Sequence, residues 1–332
     1  MANVAVIGAT TWGNALGRLL ADKGIAVSIW ARTEAKARKL RQEQQNRPSE
    51  TAFPNYLSFT NNVNEVLHSA ELVILAVPAQ SLRQSVRQIS DRLTAYAILM
   101  SVAKGLEADS GKRMSEVMME EISSALHERV CVLSGPNLSQ EISQGLPATS
   151  VVAARDIEVA KKVQRLLHSP NFSVSVSDDI IGVELCGALK NVIALGAGVV
   201  DGLSLGDNAK AALITLGWAE VVSLGVALGA KATTFYGLAG LGDLIATCSS
   251  RLSRNHYVGC ELAKGRSLAE ITASMPNIAE GIDTTVAAHS LAGKLGLEVP
   301  LVDLIYKVLF ESLPPVEIST RFRNGLKPES AI

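Results

Sequence analysis

The chain opens on a strand that runs into a glycine and then a helix. Val4-Ala5-Val6-Ile7 is an unbroken apolar run stopped by Gly8. From Trp12 to Lys23, Ala15, Leu16, Leu19 and Leu20 recur at helical spacing before Gly24 closes the segment. The alternation continues with strand-like runs at Ala26 to Trp30, Leu72 to Val77, Ala97 to Val102 and Val130 to Leu133, and a charged helix at Glu34 to Gln44. Strands apolar at every position, rather than every second one, must be covered on both faces, as in a parallel sheet flanked by helices. Ligands of such sheets bind beyond the carboxyl ends of the strands. Gly8, Pro78, Lys104 and Gly135 all follow strand ends and are expected to gather around one crevice.

The texture changes near residue 178. Between Asp179 and Asp243 only nine of 65 side chains are charged, and the pattern is helical without clear strands. Helices apolar nearly all round must be buried. The fold class expected is α/β: an N-terminal Rossmann-like doubly wound sheet over residues 1–180, followed by a C-terminal all-α domain over 181–332. Amphipathic helices continue from Ser267 to Leu313, and the end beyond Pro314-Pro315 reads as irregular. With 48% hydrophobic and 19% charged residues, a large core is available and disorder is not expected. A formal net charge of -1 offers no electrostatic reason for nucleic acid as a partner. The opening strand has no basic flank or cleavage site of a signal peptide, and no apolar run reads as the ~18 residues of a membrane span. Cys131, Cys186, Cys248 and Cys260 form no CxxC pair and the five histidines are scattered, so free thiols are expected and no metal site.

The first turn reads Gly8-Ala9-Thr10-Thr11-Trp12-Gly13, in the position of a dinucleotide fingerprint. The first glycine makes the tight turn, the last lets helix and strand pack closely, and the helix N-terminus meets the pyrophosphate. Thr10 stands where the second glycine is usual; its hydroxyl is a candidate phosphate donor, and its bulk a candidate obstruction. After the second strand comes Arg32, suited to the 2′-phosphate of NADP, with Glu34 near enough to keep NAD open.

In the back half, Lys190 sits in an otherwise apolar helix, Val183 to Ala194. Burial lowers a lysine's pKa and fits it for proton transfer near neutral pH, although a snorkelling lysine gives the same pattern. Lys104, past a buried strand, reads as a substrate-steering cation or an ordinary loop lysine. Asp243 is the one carboxylate of the Gly-rich stretch Leu238 to Leu244, either binding a substrate hydroxyl, holding a lysine or capping a helix. Ser253-Arg254-Asn255 gathers donors that suit a phosphate, or begins a polar helix.

Taken jointly, these motifs resemble the NAD(P)-dependent glycerol-3-phosphate dehydrogenase family of the bacterial type. The resemblance runs through Gly8 to Gly13, Ala103-Lys104-Gly105-Leu106-Glu107, Ser134-Gly135-Pro136-Asn137, Lys190-Asn191-Val192-Ile193-Ala194, Gly240-Leu241-Gly242-Asp243, Ser253-Arg254-Asn255 and Glu280-Gly281. It implies reversible hydride transfer between NADP or NAD and dihydroxyacetone phosphate, giving sn-glycerol 3-phosphate for glycerophospholipid synthesis. It further implies that Lys190 is the general acid and base. Lys104, Gly135, Asn137, Asp243, Ser253, Arg254 and Asn255 then hold substrate. Gly8, Thr11, Trp12, Gly13, Arg32, Lys104, Ser139, Arg254, Ile278 and Glu280 contact the cofactor. A cytoplasmic enzyme with no membrane span, forming a homodimer, is the corresponding expectation. Thr10, Asn137 and Ser139 depart from the residues usual in the family.

Two other readings compete. β-Hydroxyacid dehydrogenases and ketopantoate reductases share the expected architecture but place an Asn four residues after the catalytic lysine, where this chain has Ala194. A non-catalytic NAD(P)-binding redox sensor fits Thr10 but has no need of Lys104, Lys190, Asp243 and Arg254 together.

Overall fold

The structure, a computed structural model, describes residues 3–45, 56–275 and 277–323. The chain divides into two compact units. The first contains residues 1–103 and 114–180, and the second contains 104–113 and 181–332. The ten residues from Lys104 to Arg113 thus group with the second unit, although both their flanks belong to the first.

The first unit is built on an eight-stranded sheet of order β3-β2-β1-β4-β5-β6-β7-β8. Its strands are β1 (Asn3–Ile7), β2 (Ala26–Trp30), β3 (Leu57–Thr60), β4 (Leu72–Leu75), β5 (Ile98–Ser101), β6 (Val130–Ser134), β7 (Ala148–Ala154) and β8 (Phe172–Ser177). The unbroken apolar strands are explained by two cores. Val4 and Val6 face one way, with Leu16, Leu20, Ile29 and Leu167, while Ala5 and Ile7 face the other, with Leu82, Val86 and Met118. Helix α1 (Thr11–Asp22) and α7 (Ile157–Leu167) cover the first face; α4 (Ala79–Ile89) and α5 (Met114–Glu121) cover the second. Strand order reverses at β1, which lies between β2 and β4, so Gly8 leaves the sheet at its switch point.

The sheet is not wholly parallel, which corrects the sequence expectation. The stretch after β6 carries only the five-residue helix α6 (Ser139–Ser143), and β7 returns antiparallel to β6. Helix α7 then supplies the long crossover that a parallel β7–β8 pair needs. Strand β8, at the sheet's edge, alternates buried Phe172 and Val174 with exposed Ser173 and Ser175.

The second unit is helical. Helix α8 (Ile180–Gly202) runs through its core, surrounded by α9 (Asp207–Ala227), α10 (Asp243–Ser249), α11 (Arg254–Ala263), α12 (Leu268–Ser274), α13 (Gly281–Leu295), α14 (Pro300–Phe310) and α15 (Glu317–Arg323). Glycines let α8 and α11 cross at backbone contact. A Cβ on Gly198 would lie 2.0 Å from the His256 carbonyl oxygen, and one on Gly259 2.0 Å from that of Leu195.

Helices α8 and α9 are long and apolar enough to cross a bilayer by length and composition alone, but they are core helices of this unit, in line with the expectation of no membrane span; 89% of the most apolar stretch is buried in α8 and 33% in α9. Three charged residues in α8, Glu184, Lys190 and Asp201, had broken the apolar run in the sequence, yet all three are absorbed by ion pairs. One expectation fails here: the segment after Pro314-Pro315 is not irregular, because Glu317 N–H and Ile318 N–H bond to the carbonyls of the two prolines and α15 starts there. Residues 324–332 lie outside the described residues. All four cysteines carry free thiols.

Candidate active site

Three charged groups meet in the second unit. Asp243 is the first residue of α10, entered from a single π-helical turn over Leu238–Gly242. Its carboxylate is 2% exposed and accepts from Lys190 Nζ at 2.5 Å through Oδ1 and from Lys104 Nζ at 2.8 Å through Oδ2. Lys190 also donates to the hydroxyl of Thr247, which in turn donates a hydrogen bond to the Asp243 carbonyl at 2.7 Å. Of the readings open for Asp243, holding a lysine is realised twice over; the N-cap of α10 is Gly242 instead. Burial pushes the Lys190 ammonium down to about 8, opposed by the Asp243 carboxylate and assisted by the charge of Lys104. The reason is desolvation: a charge taken out of water is weakened unless fully compensated, and one carboxylate is shared here by two cations.

A chain of side-chain amides lies beside these charges. Asn191 Nδ2 donates to the Lys104 carbonyl at 2.9 Å, Asn255 Nδ2 donates to Asn191 Oδ1 at 2.8 Å, and Gly281 N–H donates to Asn255 Oδ1 at 2.9 Å. Asn191 and Asn255 are 5% and 7% exposed, so the paired amides answer the requirement that buried polar groups be satisfied. Ser253 is the N-cap of α11, accepting from His256 N–H at 3.2 Å, as its polar-helix-start reading supposed. Arg254 is exposed and donates to the Ile278 carbonyl at 2.9 Å. Glu280 sits immediately before α13, with Ile278 exposed two residues earlier.

The remaining predicted residues lie in the first unit. Gly8 has φ +112°, and a Cβ there would lie 2.7 Å from the Ala76 carbonyl oxygen; one on Gly13 would lie 2.4 Å from that of Gly8. Only glycine fits either position. Thr10 is the N-cap of α1: its hydroxyl accepts from Gly13 N–H at 3.1 Å and donates to the Ala76 carbonyl at 2.8 Å. It is therefore turned into the protein and spends its proton there. Among the described residues, the amides of Thr11 and Trp12 have no intramolecular partner, so the positive end of α1 keeps two donors for an anion. The turn thus fits a dinucleotide pyrophosphate despite the missing second glycine. Arg32 is exposed beyond β2, in weak contact with Gln84 at 3.5 Å. Glu34, by contrast, is drawn to Arg41 and Arg38 along α2 (Glu34–Gln45). Past β6, Gly135 has φ +145°, and its Cβ position lies 2.9 Å from Ser150 Cα; the Asn137 amide is 3.0 Å from Ser150 Oγ. Ser139 begins α6.

Sequence reasoning missed two of these contributors. Thr247 stands four residues after Asp243, which places both on one helix face, and that spacing was the available signal. Asn191 was quoted only as a neighbour of Lys190, yet it joins the Lys104 backbone to Asn255.

Comparison with known proteins agrees with this geometry. Residues 3–160 match the family model described as NAD-dependent glycerol-3-phosphate dehydrogenase N-terminus, and residues 179–320 match the model for its C-terminus. A glycerol-3-phosphate dehydrogenase [NAD(P)+] of Dehalococcoides mccartyi is 50% identical over 324 residues, covering 97% of this chain and 90% of that one. One from Chlorobium limicola is 43% identical, covering 94% of each. The crystal structure of glycerol-3-phosphate dehydrogenase from Coxiella burnetii superposes with a TM-score of 0.90 at 32% identity, covering 98% of this chain and 99% of that one.

Proposed function

Because the chain belongs to the NAD-dependent glycerol-3-phosphate dehydrogenase family and has its NAD(P)+-dependent activity, reducing dihydroxyacetone phosphate to glycerol 3-phosphate, we propose that Lys190 is the proton donor of this reaction. NAD(P)H, when bound, supplies the hydride. Addition of hydride to the carbonyl carbon leaves an alkoxide, and Lys190 Nζ gives a proton to that oxygen. In reverse, the neutral amine takes the proton from the alcohol. A donor with pKa about 8 is mainly ammonium at neutral pH, yet gives up its proton far more readily than a solvated lysine. Asp243 fixes the ammonium's position, and Lys104 adds positive charge where the alkoxide develops.

Roles for the other residues follow from their chemistry. Arg254 grips the substrate phosphate through its planar fork, with Ser253 and Asn255 at the same turn of α11. Gly135 and Asn137 line the substrate's path. Gly8, Thr11, Trp12 and Gly13 cradle the pyrophosphate, Arg32 takes the 2′-phosphate of NADPH, and Ser139, Ile278, Glu280, Lys104 and Arg254 complete the cofactor contacts. With Glu34 engaged by Arg41, NADPH is the preferred cofactor and NADH is tolerated. The enzyme acts as a cytoplasmic homodimer supplying phospholipid precursor.

The observation that carries the mechanism is the buried Lys190 ammonium seated on Asp243. Lys190→Ala is expected to lower kcat for dihydroxyacetone phosphate reduction by ~10²–10⁴-fold, the usual range for losing a general acid, with NADPH affinity nearly intact. Near wild-type kcat in that variant would remove Lys190 from the chemistry.

A further inference from the structure

The ten residues Lys104–Arg113 leave the first unit after Ala103, belong to the second, and return at Met114. They form a small closed loop. Leu106 and Arg113 face each other in an antiparallel bridge, Glu107 N–H bonds to the Lys112 carbonyl at 3.0 Å, and Gly111 N–H bonds to the Glu107 carbonyl at 2.8 Å. Leu106 is fully buried in the helical core, and Gly111, at φ +71°, packs against Leu291. At the loop's far end from Lys104, Arg113 Nη1 donates to Glu184 Oε2 at 2.7 Å, with the two side chains only 11% and 7% exposed. Glu184 lies on α8, the helix that carries Lys190.

We infer that Arg113 and Glu184 are positioning residues for the reaction: their ion pair fixes the base of the 104–113 loop to α8 and thereby sets where the Lys104 ammonium stands beside Asp243 and Lys190. This inference rests on the role given to Lys104 above. The physical case has three parts. A charge pair this buried costs desolvation that a mere surface tether would not incur, so its geometry is closely held. The side-chain amide of Asn191 holds the Lys104 carbonyl at one end of the loop, and the buried Leu106 and the Arg113 guanidinium register the loop against the helical unit. The bridge couples these last two directly, because a shift of Arg113 moves the residue two positions after Lys104.

Arg113→Ala alone would strand a buried carboxylate, so the pair is replaced together by Arg113→Met with Glu184→Leu, apolar residues of similar length. Arg113→Lys keeps the charge without the fork and serves as the second variant. Misplacing a catalytic-site group by about 1 Å costs up to ~10²-fold, so kcat/KM for dihydroxyacetone phosphate should fall ~10–100-fold in the apolar pair and by an intermediate factor in Arg113→Lys. The alkaline break of the kcat profile should move upward from that of the wild type, because the displaced Lys104 charge no longer depresses Lys190. On a Lys104→Gln background the apolar pair should cost less than about twofold more, the signature of residues acting through one group. Folding is checked by circular dichroism and thermal denaturation.

Wild-type kcat/KM and an unmoved pH break in the folded apolar pair would overturn the inference. So would losses that multiply fully with Lys104→Gln. Wild-type turnover in Lys104→Gln itself would instead overturn the role given to Lys104, and the inference with it; that single variant separates the two failures.

Discussion

Replacing Asp243 by Asn removes the carboxylate that holds the Lys190 proton. Burial and the neighbouring Lys104 ammonium both push that proton off, and the carboxylate at 2.5 Å opposes them. The carboxylate is the largest influence holding the ammonium up against burial, so its loss should drop Lys190 well below about 8. At pH 7 the wild-type lysine is then mainly ammonium and the variant mainly neutral amine. If Lys190 donates the proton, kcat for reduction by Asp243→Asn should rise ~10-fold on acidification from about pH 7 to about pH 5, whereas wild type should change by less than ~1.5-fold over the same interval. The comparison is made within each enzyme, so any loss of substrate contact at position 243 cancels. Initial rates of NADPH consumption at saturating dihydroxyacetone phosphate give the two profiles, with circular dichroism at both pH values to exclude unfolding. A flat variant profile from pH 7 to 5, or a break still near 8, would show that Asp243 does not govern the proton that limits turnover.

Two further outcomes test the first unit. Arg32→Ala should lower kcat/KM with NADPH ~10–100-fold and leave NADH within ~2-fold, because a charge-assisted contact to the 2′-phosphate is worth ~1.5–3 kcal/mol; equal losses with both cofactors would return Arg32 to an ordinary surface charge. Thr10→Val should cost about 1–2 kcal/mol in thermal denaturation, from the lost N-cap and the lost bond to Ala76, while KM for either cofactor moves less than ~3-fold. A large rise in cofactor KM would mean that the hydroxyl serves the pyrophosphate after all.

The first unit was legible where one local rule decides the outcome. Val4 to Ile7 had to lie between two cores because neither alternate set of its side chains is polar, and Gly8 had to turn because the Ala76 carbonyl occupies the space of any Cβ. Legibility failed where direction depended on what the chain does next. Ala148–Ala154 is as apolar as a parallel strand, and only the shortness of α6 before it accompanies its reversal. Pro314-Pro315 looked like an end because proline stops helices, but proline carbonyls also accept the first amides of a new one, and α15 uses them so.

The candidate site was half legible for a different reason. An ion in an apolar helix declares that a partner exists without saying which residue it is. Helix α8 contains three such ions, and each is answered from another segment: Glu184 by Arg113, Lys190 by Asp243, Asp201 by Lys210 and His256. Asp243 was nameable because it was the lone carboxylate of a glycine-rich stretch. Arg113 was not, since it follows Lys112 in a polar loop where an arginine carries no signal. Its 71-residue separation from Glu184 is closed only when the ten-residue loop joins the helical unit. The same closure places Lys104, 139 positions before Asp243, on the carboxylate it shares with Lys190. Desolvation therefore made the lysine at 190 visible in the sequence, while the chain's excursion from one unit into the other and back, which no periodicity records, determines the charge that tunes it.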